Sequence, residues 1–225
     1  MVKNRKGTSH VEIILSVVIF LAFVGIALYF FSPKNTDRVI GTTQEYAFRE
    51  IEKQASVVLE TYGVNLNQIG PIGVGIDEIG GGGVRVENSA ENVLSSGRTG
   101  EIVCINGGGN EFVYIYVSED FSSSGCGLSN GDYTLASSNS RKVVSEKKLK
   151  LLQSKYNSDY SGLKEEFNLP GRVEFGFEFN FDDGGEISAI ANIPENLEVF
   201  SKSKRVEILR EEGTREFGEL KVTIW

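Results

Sequence analysis

Hydrophobic and polar positions alternate with three different rhythms along this chain. From Ile13 to Phe31 there is no rhythm at all, because nineteen consecutive residues carry no charge. At about 1.5 Å per helical residue such a run is roughly 28 Å long, the thickness of one hydrocarbon core. After Pro33 the pattern turns amphipathic. Val39/Ile40, Thr43, Tyr46/Ala47, Ile51, Ala55, Val58/Leu59 and Tyr62 recur every three or four residues, with Arg49, Glu50, Glu52 and Lys53 off that stripe. The period predicts a helix from 33 to 62, stopped by Gly63 and kinked or briefly broken at Pro33.

Beyond Gly63 the rhythm changes again. Residues 63–100 are rich in glycine, with the run Gly80 to Gly83, and predict loops with one or two short strands. Glu101–Cys104 and Phe112–Val117 read as strands joined in a hairpin around Asn106–Asn110, the second apolar on both faces like a central strand. Val143–Tyr156 and Tyr160–Phe167 read as helices. The clearest strand is Val173–Phe181, where Val173 and four phenylalanines alternate with Glu174, Gly176, Glu178 and Asn180. The amphipathic stem helix is the expected cover for that aromatic face. Asp182-Asp183-Gly184-Gly185 predicts a turn into a strand at Glu186–Ile193. Val206–Arg210 and Leu220–Trp225 form an expected last pair through Gly213. The fold class is therefore α+β: a long N-terminal stem helix on an antiparallel head with added helices.

The apolar run is too long for an ordinary secretory signal, and Tyr29-Phe30-Phe31-Ser32-Pro33 is too bulky for a small-residue cleavage site. A retained membrane span follows. Lys3, Arg5 and Lys6 before it place the N-terminus in the cytoplasm and the rest of the chain outside. Glu12 is not explained by simple anchoring. A carboxylate at the edge of hydrocarbon is costly unless paired, and residues 8–31 contain no Lys or Arg. Cleavage after Gly7 would create an ammonium at Thr8, which Glu12 of a neighbouring copy could meet. The plainer alternative is a Glu12 solvated at the headgroup level.

This arrangement of Lys6, Gly7, Glu12 and the apolar run resembles the class III signal peptide of type IV pilin-like proteins. Bacterial members of that family usually carry an aromatic residue where Thr8 stands, and archaeal ones often Gln. The wording Ser9-His10-Val11-Glu12 is closer in style to archaeal pilin-like surface proteins. The resemblance implies a leader at 1–7 processed at Lys6-Gly7-Thr8 by a prepilin-type peptidase. It implies further an assembly helix at 8–32, an amphipathic continuation at 33–62 and an exported head at 63–225. Glu12 would set subunit register, and copies of the chain or related subunits would be its partners, alongside membrane lipid. The function implied is a structural subunit or minor component of a surface filament, with a head suited to adhesion. An uncleaved single-pass protein with a ligand-binding head is the alternative.

A formal net charge of −8 disfavours nucleic acid as a partner. Cys104 and Cys126 are the only cysteines and lie beyond the span, which suggests one disulfide worth roughly 3 kcal/mol, with two buried thiols as the alternative. His10 is the sole histidine, so no His-assisted nucleophile is expected in the head, and the chain reads as a non-enzyme without cofactor. The glycine run is followed by Val84-Arg85 and lacks the Lys-Ser/Thr of a phosphate loop. Asn180, Asp182, Asp183 and Glu186 could supply oxygens to calcium, against the plainer reading of a hairpin turn. No Asn-x-Ser/Thr sequon occurs.

Overall fold

The apolar run forms α1 (Thr8–Phe30), and α2 (Pro33–Ala55) follows with proline at its first position, where no backbone donor is missed. The computed structural model describes residues 8–30, 33–106, 111–122 and 124–225, without the side chains of 8–10, 30 and 33–40. The chain divides into two units, Met1–Tyr46 and Ala47–Trp225. The second is the head, which starts with the last turns of α2.

Helix α2 ends at Ala55, earlier than the stripe to Tyr62 predicts. Ser56–Leu66 is instead strand β1, entered with no loop between. The reason lies in the residues and in their partners. Val57-Val58-Leu59 also fits a period of two, with Val57 and Leu59 buried and Val58 exposed. Two distant strands then hydrogen-bond to both of its sides.

The remaining strands are β2 (Ile72–Gly75), β3 (Gly83–Asn88), β4 (Val93–Thr99), β5 (Ile102–Asn106), β6 (Phe112–Ser118) and β7 (Tyr133–Ser145). After them come β8 (Phe175–Phe181), β9 (Glu186–Ala189), β10 (Phe200–Leu209) and β11 (Arg215–Ile224). They join in the order β2-β5-β4-β3-β6-β1-β7-β10-β11-β8-β9. The glycine-rich stretch thus holds three strands, more than expected. Strands β5 and β6 both exist but do not pair as a hairpin. The first lies between β2 and β4, the second between β1 and β3. Their connecting residues 107–110 lie outside the described residues.

The sheet has two halves. From β2 to β7 it curls around an aliphatic core in which Val64, Val74, Val86, Val103, Ile105 and Ile115 are fully enclosed. The curl brings β2 against the segment leading into β7. Gly131 N–H donates to the Gly73 carbonyl at 2.9 Å, and the Tyr133 hydroxyl to the Gly75 carbonyl at 2.7 Å. The other half, β10-β11-β8-β9, carries an aromatic face. Phe175, Phe177 and Phe179 are fully buried, opposite Ile224, Val222 and Leu220. The hairpin β10–β11 is longer than expected, and Leu220–Ile224 faces Phe200–Lys204 rather than Val206–Arg210.

Helices α3 (Glu146–Ser158) and α4 (Tyr160–Glu166) lie over that face. The helix expected from Val143 begins three residues later, because Val143 and Val144 belong to β7 and Ser145 is the N-cap. Its side chain accepts from Lys148 N–H at 3.0 Å. Tyr156 packs edge-on against Phe175 and Phe177, and Tyr160 and Phe167 cover Phe175. The observed aromatic cover is thus α3 and α4, where the stem helix was expected. The last turns of α2 join the head through buried Phe48, Ile51 and Ala55, and Gln54 donates to Glu166 of α4 at 2.8 Å.

Candidate membrane and assembly segment

Between Val11 and Tyr29, α1 is apolar on every side and none of it is enclosed by other parts of the chain. Phe20, Phe23 and Leu28 are 64%, 69% and 68% exposed, and they point in different directions around the helix axis. Among the described residues this is the one helix long and apolar enough to cross a membrane. An amphipathic surface helix needs a polar side, and this one has none. Its composition fits a membrane anchor or a signal sequence.

Glu12 stands one residue into this span. It is exposed, and among the described residues it forms no ion pair. One turn later the Ser16 hydroxyl donates to the Glu12 carbonyl at 2.8 Å, so the only other polar group nearby turns inward on the backbone. Of the residues expected at the processing site, Lys6 and Gly7 lie outside the described residues. Thr8 is the first described residue of α1, without its side chain.

The two cysteines are bonded to each other, Cys104 in β5 to Cys126 in the segment between β6 and β7. Cys104 is buried at 1% exposure. The staple does not act alone. The Cys126 N–H donates to the Thr99 hydroxyl at 2.9 Å, which donates back to the Cys126 carbonyl at 2.8 Å. Ser124 donates to the Ser96 carbonyl at 3.1 Å. The segment expected to be loose is laid along β4.

Polar chemistry in the head is structural in form. The Arg98 guanidinium donates to the carbonyls of Ile79, Gly80, Gly82 and Gly100, and the Glu60 carboxylate accepts from Gly80 N–H and the Tyr62 hydroxyl. Together they order the glycine run. At Gly82, with φ of +107°, a side chain would strike the backbone of Ser118. Burial, reinforced by the Glu60 hydrogen bond, pushes the Tyr62 phenol up to about 12. Arg210 lies over the Phe181 ring at 4.0 Å and is surrounded by Glu146, Asp183, Glu212 and Glu216. Burial alone would weaken its charge, but the four carboxylates outweigh burial and raise its pKa. None of these clusters has a sequence signature, since each joins residues far apart in the chain.

The oxygens considered for calcium have other partners. Asp182 binds Arg205 at 2.6 Å, and Asp183 binds Arg210 at 3.2 Å and Gly185 N–H at 3.0 Å. Among the described residues, no group of three or more His, Cys, Asp or Glu is placed to hold a metal ion. No protein-family model, curated protein or solved structure matches the chain.

Proposed function

We propose that the chain is a structural subunit or minor component of a type IV pilus-like surface filament, anchored by α1 and processed after Gly7 by a prepilin-type peptidase. The observation that carries this reading is the exposure of α1 on every side, with one carboxylate, Glu12, near its start. Such a helix is stable only in lipid or among sister helices. In lipid it anchors the head outside the cell with the N-terminus inward. Among copies of itself or related subunits it packs into a fibre core, and Glu12 meets the Thr8 ammonium of a neighbour. The sheet head with its disulfide then faces the medium, where oxidised cysteines persist.

N-terminal sequencing of the protein from its native membrane tests the first step. A chain starting at Thr8 is expected, and one starting at Met1 leaves an uncleaved single-pass anchor. Glu12→Ala tests the second. Membrane insertion stays normal, while incorporation into filaments falls about tenfold or more, the loss of an ion pair worth a kcal/mol or two in apolar surroundings. Unchanged incorporation removes the role of the carboxylate.

A further inference from the structure

The longest strand of the head, β7, is hydrogen-bonded along one side only. On that side it runs beside β1 from Leu66↔Tyr133 to Ser56↔Val144. On the other it meets β10 at two residues, Val144 and Ser145, paired in parallel with Ile208 and Leu209. Away from that seam the strands part, and β10 is paired on its far side with β11. In an antiparallel ladder, alternate residues turn their N–H and C=O away from the partner. Residues 134–143 of β7 therefore offer about five such residues to an open edge. Thr134 through Ser140 are all exposed, including Leu135, an aliphatic side chain at 48%.

The seam end of this opening is a cleft of about 410 Å³ lined by Arg49, Lys53, Lys142, Lys204 and Arg205. Its two carboxylates are already engaged, Glu52 by Lys204 at 2.8 Å and Glu207 by Arg141 at 2.7 Å. Arg49 and Lys142 have no carboxylate partner among the described residues. Five cations at one place stand out in a chain of net charge −8. Basic residues on a strand edge repel basic strands and discourage apolar ones. The same residues attract an acidic one. Because β7 and β10 run in the same direction, a strand entering beside β7 in the favoured antiparallel sense is antiparallel to β10 as well.

We propose that the open edge of β7 captures an extended acidic segment of a partner protein by strand addition. The segment pairs with Thr134–Lys142 through backbone hydrogen bonds, sets its carboxylates against Lys142, Lys204 and Arg49, and lays an apolar side chain on Leu135. The backbone supplies the grip and the cleft selects the charge. This capture does not depend on what α1 does.

The test uses the full chain in non-ionic detergent with a labelled synthetic peptide of alternating Glu and Val. Saturable binding is expected, with amide exchange slowed across 134–142. A Lys-Val peptide, and a Glu-Val peptide broken by prolines, are expected not to bind. Lys142→Glu with Arg49→Glu, at exposed positions and with the thermal transition unchanged, weakens binding by roughly tenfold or more. Three results would overturn the proposal: equal binding of the proline peptide, binding without protection of 134–142, or no binding of the Glu-Val peptide. Concentration-dependent protection of the same edge without peptide would do so too, since the occupant would then be a second copy.

Discussion

The two halves of the head solve the same problem by different means. The curled half, β1 to β7, is small in cross-section and lined by Val and Ile, and it is fastened by covalent and polar ties. These are the Cys104–Cys126 bond, the Arg98 guanidinium on four carbonyls, and Tyr133 across the closure. The half from β8 to β11 has no disulfide and relies on rings. Phe175, Phe177 and Phe179 are sealed by Tyr156, Tyr160 and Phe167. A sheet that closes on itself leaves little room for large side chains and gains from cross-links. An open sheet under two helices has room for aromatic volume and needs less stapling. The backbone seam between them is the pair of bridges between β7 and β10.

The sharpest test of that contrast is Phe177→Ala, which removes a fully buried ring beneath Tyr156. A loss of about 3–5 kcal/mol is expected in denaturant unfolding. Exchange in α3, α4 and β8 should rise before exchange in β3 and β6. Simultaneous loss of protection in both halves would show that the seam makes them one cooperative body. Next in size is the double change Cys104→Ser and Cys126→Ser, expected to cost roughly 3 kcal/mol by chain entropy. Exchange should then rise along β5 and the segment around Ser124 while α3 stays protected. A smaller effect comes from alkali. Burial raises the phenols of Tyr62 and Tyr116 in one half and Tyr156 and Tyr160 in the other. A phenol whose folded pKa is raised stabilises fully below its unfolded value of about 10, and that contribution is lost as pH rises through the folded value. Thermal stability should therefore begin to fall above pH 10. The Tyr62 contribution is gone only beyond about 12. Phenolate absorbance appearing at pH 10 with no loss of stability would contradict the burial of these rings.

How much of this was legible in the sequence follows from how local each signal is. The apolar α1 needs no partner to be read, and its bounds agree with the uncharged run. The alternation of β8 and the Asp-Gly turn after it are also local, and both appear where expected. The end of α2 is not local. The residues from Ser56 to Tyr62 suit a helix stripe and a strand equally, and β6 and β7, some 50 to 80 residues away, settle the matter. The same holds for β5 and β6, neighbours in sequence whose better partners lie elsewhere. The disulfide was readable from cysteine count and spacing. The basic cleft was not, because its residues come from α2, β7 and β10 and no single segment is basic enough to show it.

The passage from Ala55 to Ser56 without a loop has a mechanical side. Strand β1 is clamped between β6 and β7 along most of its length. Tension arriving through the last turns of α2 would run along β1, so its flanking bonds would be strained together in shear rather than peeled apart one after another. A head tugged by flow would in that way be gripped at its middle.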